Sequence, residues 1–103
     1  MTYEIEFHEE ALKEFLSLDG SVRKLVAKQI QKISTAPQLG EELGNKNGID
    51  LSGCLKMYAY QKRIRIVYEI FEQKVVVHIL AIGKREDMEA YKDALKRIEK
   101  PIT

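Results

Sequence analysis

Hydrophobic and polar residues alternate one by one in the segment TYEIEF, which covers residues 2–7. Tyr3, Ile5 and Phe7 fall on one face of this segment, and threonine and glutamate side chains fall on the other. A period of two predicts a β-strand that packs one face against a core and leaves the other face in water.

Two helices are predicted to follow this strand. Apolar residues recur with helical spacing in residues 9–18 and again in residues 22–33. Gly20 can take the left-handed conformation that ends a helix, and Ser21 is a suitable N-cap for the next one. Because Pro37 disfavours a helical conformation in the residue before it, the second helix should end ahead of it. The two closely joined helices favour a helical hairpin.

A glycine-rich segment separates these helices from the second half of the chain. Residues 36–53 hold four glycines among scattered apolar residues, which predicts a long surface loop. Three apolar segments after it are predicted strands, near residues 55–61, 64–71 and 74–82. Their short polar turns suit an antiparallel meander. A last helix should begin after Asp87, a candidate N-cap, and residues 99–103 are expected to fray.

These elements predict a single α+β domain over residues 1–103, in which the first strand and the meander form a mainly antiparallel sheet packed against helices. The chain of 103 residues suits one hydrophobic core, and its 45% apolar and 32% charged residues are typical of a globular domain. No segment approaches the roughly 20 apolar residues of a membrane span, and the N-terminus lacks a signal-peptide pattern. We therefore expect a cytoplasmic protein without membrane contact.

The basic charge of the chain is local. The net charge is only +1, but the first 50 residues hold six Lys or Arg against nine Asp or Glu, and the remainder holds eleven against seven. Residues 51–68 include four cations and no acid, and two more cations follow the third predicted strand of the meander. These six residues are Lys56, Lys62, Arg63, Arg65, Lys84 and Arg85. Such a cluster requires an anionic partner, and both a phosphodiester and an acidic protein fit.

Arg65 lies within an apolar predicted strand, on the face opposite its isoleucines. One interpretation is a half-exposed strand on which Arg65 and Glu69 form a surface pair that stabilises the fold little. The other is a phosphate site. In an antiparallel sheet Lys56, Arg65 and Arg85 can gather on one side, where several cations around one phosphate would stabilise the charge that develops in phosphoryl transfer.

Two tyrosines have both a structural and a functional interpretation. Tyr91 shares a helical stripe with Met88 and Leu95, which is typical of a core, yet its hydroxyl is close enough in sequence to Arg85 to reach the cation cluster. Tyr58 falls on the same strand face as Lys56, where its ring can stack on a nucleotide base or cover the sheet.

The histidines and the single cysteine suggest no catalytic chemistry. His8 lies at a strand-to-helix junction, where capping is the common role, and His78 is expected to be a satisfied or half-buried imidazole in a strand. Cys54 is expected to act as a small apolar residue. Two histidines and one cysteine do not make a zinc motif, and we expect neither a metal nor a cofactor.

Nearly the whole chain resembles the RelE/ParE superfamily of bacterial type II toxins, and its RelE branch most closely. The resemblance includes the opening YEIEFHEEALKEFLSL and the helix SVRKLVAKQI. Its most specific part is RIVYEIFEQKVVVHILAIGKREDMEAY, in which the spacing from R-x-V-Y through V-V-V to G-K-R-E and a final Y matches the family. The resemblance implies the RelE-like microbial RNase fold.

The same resemblance implies a ribosome-dependent endoribonuclease that cuts mRNA at the decoding site. In the expected reaction the ribose 2′-hydroxyl attacks the adjacent phosphate and leaves a cyclic phosphate and a free 5′-hydroxyl. Arg65 and Arg85 would bind and stabilise the scissile phosphate, Lys56 would stabilise charge or transfer a proton, and Tyr91 would act as general base or orienting group. The residues expected to contact RNA are Tyr58, Lys62, Arg63 and Lys84.

The implied partners are a cognate antitoxin, the ribosome with its mRNA and, only through the antitoxin complex, operator DNA. One position departs from the family pattern, because Tyr58 occupies the place of an expected second lysine. Two other functions stay open at this point. One is inhibition of DNA gyrase, as in the ParE branch, and the other is a catalytically weakened toxin fold that acts as antitoxin partner and co-repressor.

Overall fold

A computed structural model describes residues 2–46, 48–86 and 88–98 of the chain. Its helices are α1 (Glu9–Leu16), α2 (Gly20–Thr35) and α3 (Glu89–Ile98). Its strands are β1 (Glu4–Phe7), β2 (Glu41–Glu42), β3 (Asn45–Lys46), β4 (Ile49–Asp50), β5 (Cys54–Ala59), β6 (Ile64–Phe71) and β7 (Val76–Lys84). None of the described helices is long and apolar enough to cross a membrane.

Five of the strands form one mixed sheet in the order β1-β7-β6-β5-β2. The segment β5-β6-β7 is an antiparallel meander, and β1 joins its edge in parallel to β7. The remaining strands, β3 and β4, pair separately as a small hairpin. The predicted α+β class and the mainly antiparallel sheet are thus confirmed.

Helices and connecting segments cover both faces of the sheet. On one face, α1 and α2 pack against side chains such as Ile66 and Ile79. On the other face, α3 packs against Val67 and Leu80. This second face also carries Arg65, of which only 6% is exposed. The interpretation of a half-exposed strand face with a surface pair at Arg65 is therefore wrong, because alternation along a strand identifies two faces but does not show which helix covers each.

The junction between α1 and α2 differs from the prediction. Gly20 begins α2 instead of ending α1, and Asp19 is the N-cap in place of Ser21. The Asp19 carboxylate accepts hydrogen bonds from the Ser21 amide at 3.3 Å and the Ser21 hydroxyl at 2.7 Å. Aspartate satisfies the first free amides of a helix as well as serine does, so two candidate caps two residues apart left the start of α2 ambiguous by two residues. His8 caps α1 as expected, with its Nδ1 accepting from the Glu10 amide.

The predicted long loop over residues 36–53 is also wrong in part, because it contains a short 3₁₀ turn and the strands β2, β3 and β4. In β2, Glu41 pairs with Lys56 and adds a fifth strand to the sheet. Two-residue strands carry too few positions to show a period of two. Gly40 lies directly against Tyr68, whose hydroxyl donates to the Pro37 carbonyl at 2.7 Å, and a Cβ at Gly40 would clash with that hydroxyl.

Helix α3 is held closely against β7. A Cβ added to Gly83 would lie 3.2 Å from the Cβ of Ala90, so the absence of a side chain there allows close packing. At the other end of α3, Arg97 binds the Glu14 carboxylate of α1 with contacts of 2.8 and 3.0 Å. The predicted cap Asp87 and the predicted frayed tail lie outside the described residues.

Candidate active site

The cation cluster lies at the end of the sheet where β5 turns into β6 and β7 leads towards α3. In the β5–β6 pair, Tyr58 lies directly opposite Arg65. In the β6–β7 pair, Arg65 lies opposite Gly83, two residues before Arg85. Because Lys56 precedes Tyr58 by two residues, it points to the same face. The register of three strands therefore brings four predicted site residues together.

Arg65 is held between a ring and the backbone. Its guanidinium carbon lies 4.0 Å from the centre of the Tyr91 ring, in a cation–π arrangement. Its Nη2 donates to the backbone carbonyl of Arg85 at 2.8 Å. With 6% of Arg65 exposed and only 3% of Tyr91, both side chains are largely removed from water. The guanidinium is thus positioned before any substrate arrives.

Lys56 lies deep in the same cluster, with 8% of the residue exposed. Its Nζ donates to the Tyr58 hydroxyl at 2.7 Å and lies 3.7 Å from the Glu41 carboxylate of β2. Burial lowers the pKa of Lys56, but its hydrogen bonds to the hydroxyls of Tyr58 and Tyr91 raise the pKa by more than burial lowers it. The pKa of Lys56 is therefore above its ordinary value. Lys56 is therefore a cation at neutral pH.

Tyr58 has cations on several sides. The Nζ of Lys56 lies 4.8 Å from the ring centre, and the guanidinium carbons of Arg85 and Arg65 lie 5.3 and 5.9 Å from it. Burial raises the pKa of Tyr58, but hydrogen bonds to these three cations outweigh burial and lower the pKa to about 8. This phenol consequently loses its proton far more readily than an ordinary tyrosine.

An open groove of about 900 Å³ leads to this cluster. Tyr58, Arg65 and Arg85 belong both to the cluster and to the lining of the groove. Its remaining lining residues are Leu18, Asp19, Val22, Tyr60, Lys62, Arg63, Ile64, Lys84 and Glu86. The lining combines apolar side chains with five cations and two acids, which suits a polyanion with apolar rings.

The hairpin turn between β5 and β6 forms one wall of the groove. Tyr60, Gln61 and Lys62 all adopt left-handed backbone conformations, with φ values of 54°, 54° and 64°. For residues other than glycine this conformation costs energy, and such strain is concentrated at functional sites. The Arg85 amide donates to the Arg63 carbonyl at 3.0 Å and links the turn to the end of β7.

The structure brings the predicted catalytic set together. Lys56, Arg65 and Arg85 lie around Tyr58. Tyr91 contacts Lys56 and Arg65. The predicted RNA-binding cations Lys62, Arg63 and Lys84 lie along the groove. The core interpretation of Tyr91 is confirmed, and its ring also packs against the guanidinium of Arg65, while its role in catalysis stays a prediction. Sequence reasoning missed Glu41, which reaches Lys56 from a strand that gave no periodic signal.

The other candidate side chains have structural roles. His78 pairs with Glu69 across the strands at 3.4 Å. Cys54 is 2% exposed, and burial, with a smaller contribution from Glu69, raises the pKa of its thiol to about 12. Over residues 2–46, 48–86 and 88–98, no three His, Cys, Asp or Glu side chains form a cluster of metal ligands.

Residues 6–96 match the family of ParE-like toxins of type II bacterial toxin–antitoxin systems, so the chain belongs to this family. Within it, the chain is 35% identical over 98 residues to the mRNA interferase toxin RelE of Escherichia coli strain K12, covering 95% of this chain and 99% of that protein.

Solved structures agree with this relationship. A mutant of E. coli RelE with two arginines replaced by alanine, in the free state, superposes with a TM-score of 0.75 at 34% identity, covering 95% of this chain and 99% of the other. RelE in the intact E. coli RelBE toxin–antitoxin complex gives a TM-score of 0.65 at 30% identity, covering 80% and 95%. The expected RelE-like fold is confirmed.

Proposed function

We propose that the chain is the toxin of a type II toxin–antitoxin module and acts as an mRNA interferase. It cuts mRNA in the decoding site of the ribosome by attack of a ribose 2′-hydroxyl on the adjacent phosphodiester. The observation that carries this proposal is the cluster of Lys56, Arg65 and Arg85 around Tyr58, which lines an open groove together with the two arginines. The similarity to a protein named as an mRNA interferase supports it.

Arg65 and Arg85 bind the scissile phosphate in this proposal. A guanidinium offers two parallel donors that match two phosphate oxygens, and a positioned cation stabilises the extra negative charge of the pentacovalent transition state. Arg65 is buried and held by Tyr91, so it loses little entropy on binding. Arg85 is exposed at the groove and completes the pair.

Lys56 and Tyr91 have supporting roles in this proposal. Lys56 adds a third positive charge beside the Tyr58 hydroxyl, where it stabilises negative charge. Tyr91 is 3% exposed with its ring under Arg65. A group buried in that position orients the guanidinium, so we assign Tyr91 the role of a positioning residue.

The outer groove binds the flanking RNA. Lys62, Arg63 and Lys84 are exposed along it and bind phosphates of the chain. The half-buried ring of Tyr58 offers a face on which a base stacks. An open groove alone does not align the 2′-hydroxyl with the scissile bond. In this proposal the ribosome supplies that alignment, so cleavage depends on the ribosome.

A cognate antitoxin is the second partner. The relative in the E. coli RelBE complex is bound to its antitoxin, and an antitoxin that covers the cation groove of this chain would block RNA from Arg65 and Arg85. Operator DNA is contacted only through that complex.

The test compares the wild type with Arg85→Ala and Arg65→Lys in a purified translation reaction, with mRNA 5′ ends mapped with and without ribosomes. Lys74→Ala is the matched control, because it removes one exposed cation from the β6–β7 turn at the opposite end of these strands. We expect codon-phased cuts that require ribosomes, that fall about 10²-fold or more in the two arginine variants, and that persist in the control.

Arg65→Lys keeps the positive charge and loses the planar guanidinium. This variant therefore distinguishes a requirement for two parallel hydrogen bonds to the phosphate from a requirement for charge alone. Intact mRNA with unimpaired translation would refute the nuclease. A gyrase supercoiling assay on the same preparation then tests the ParE-like alternative, and binding to antitoxin and operator without either activity would identify a toxin fold without catalysis.

A further inference from the structure

Tyr58 combines three features that the proposed reaction requires of a proton acceptor. It lines the groove and is only half-buried, so a substrate bound in the groove would contact it. Its hydroxyl accepts a hydrogen bond from Lys56 at 2.7 Å, which stabilises a negative charge on that oxygen. Arg65 lies opposite it in the sheet, where it would hold the phosphate.

Tyr91 does not combine these features. It is 3% exposed, is absent from the groove lining, and packs its ring against Arg65. Of these two tyrosines, Tyr58 is the one that lines the groove in which a 2′-hydroxyl would bind. Lys56 hydrogen-bonds the hydroxyls of both tyrosines, but the hydroxyl of Tyr58 interacts with Arg65 and Arg85 as well.

We propose that Tyr58 is a catalytic residue of this toxin, with its phenolate oxygen accepting the proton of the attacking ribose 2′-hydroxyl. The inference rests on the proposed nuclease function. In the step, a bond forms between the 2′-oxygen and phosphorus and the bond between phosphorus and the 5′-oxygen breaks. The 2′ proton passes to the Tyr58 oxygen, the departing 5′-oxygen takes a proton from water, and Tyr58 returns its proton to solvent.

The charges around Tyr58 make this role feasible at physiological pH. Three cations lie beside Tyr58, namely Lys56 of β5, Arg65 of β6 and Arg85 after β7. Tyr91 of α3 and Glu41 of β2 lie near Lys56. Two acids, Asp19 and Glu86, lie along the groove. The three cations lower the pKa of Tyr58 to about 8 against burial. Roughly a tenth of the phenol is then ionised at pH 7, against about a thousandth for an ordinary tyrosine.

The decisive variant is Tyr58→Phe, because it removes the hydroxyl and keeps the ring that stacks on a base. We expect kcat/KM for ribosome-dependent cleavage at pH 7 to fall about 10²-fold or more, with ribosome binding unchanged. In the wild type, kcat/KM should rise tenfold per pH unit and level off near pH 8, whereas the residual activity of Tyr58→Phe should not show that rise. Tyr58→Leu should weaken RNA binding as well.

A second measurement needs no ribosome. Ultraviolet titration of the free protein follows ionisation of its five tyrosines, and one of them should ionise near pH 8. Tyr58→Phe should remove that transition. Tyr3→Phe is the matched control, since Tyr3 lies next to the edge strand β1 and donates its hydroxyl to Glu72, and it should leave both the transition and cleavage intact.

The outcomes separate two failures. Cleavage by Tyr58→Phe within about threefold of the wild type, with the same pH profile, overturns the role of Tyr58 while the nuclease stands. Absence of ribosome-dependent cleavage by the wild type overturns the proposed function, and this inference with it.

Discussion

Replacing Arg97 by alanine should destabilise the fold far more than an ordinary surface substitution does. Arg97 donates to both oxygens of the Glu14 carboxylate and, at 2.6 Å, to the backbone carbonyl of Leu80. The same carboxylate accepts from the Ile82 amide at 3.0 Å. This ion pair therefore joins α1, β7 and α3. It also provides hydrogen-bond partners for the Leu80 carbonyl and the Ile82 amide, which lie beyond the part of β7 that pairs with β1.

The magnitude follows from the burial of the pair. The side chain of Arg97 is 12% exposed and that of Glu14 is 28% exposed. Removing one member of a fully buried pair costs about 3–5 kcal/mol, because a charge is left without a partner. Partial access of water to Glu14 reduces this figure, and we expect a loss of about 2–3 kcal/mol. For a domain of this size that loss lowers the melting temperature by about 10–15 °C.

Urea unfolding followed by circular dichroism measures this loss. Lys96→Ala is the matched control, because it removes an exposed cation from the same helical turn. A change in unfolding free energy within about 0.5 kcal/mol of that control would refute the reasoning, since it would mean that water satisfies all the groups around Arg97. A double-mutant cycle with Glu14→Gln then measures the coupling between the two side chains directly.

Three further predictions concern other parts of the fold. Gly40→Ala should destabilise the protein by about 1–3 kcal/mol in urea unfolding, because the new methyl group displaces the Tyr68 hydroxyl from its bond to the Pro37 carbonyl. Gln61→Gly should stabilise it by roughly 0.5–1 kcal/mol, since glycine accepts the left-handed conformation of the turn, and an unchanged melting temperature would contradict the strain. Cys54 should resist alkylation at pH 8 until the protein unfolds, because burial raises the pKa of its thiol to about 12, and rapid labelling of folded protein would contradict this.

The strands of the meander were predictable because each is long enough to show its pattern. Residues 64–71 were predicted as a strand, and the structure places β6 at Ile64–Phe71. The N-terminal strand and all three helices were also found from periodicity and breaker residues. By contrast, β2 has only two residues and forms because it pairs with β5. Such a tertiary contact cannot be predicted from a local sequence pattern.

The sequence predicted which residues form the candidate site, but not how deeply they are buried or which of them contact one another. Charge clustering and the family resemblance pointed to Lys56, Arg65, Arg85 and Tyr91, and the strand register brings all four together. The burial of Arg65 could not be foreseen, because α3 covers it from a distant part of the chain. The significance of Tyr58 depends on the positions of three cations around it, and the sequence showed only a tyrosine in place of an expected lysine.

The near-neutral net charge does not measure the capacity of this chain to bind RNA. The groove is lined by five cations and two acids, so its local charge is +3 while that of the whole chain is +1. Other acids act elsewhere, as Glu9 and Glu10 do in the first turn of α1, where negative charge interacts favourably with the helix dipole. Screening limits such surface charges to a range of about 8–10 Å at physiological ionic strength. An RNA strand bound in the groove, as proposed above, would therefore interact with the local excess of cations, and the total charge would have little influence on its binding.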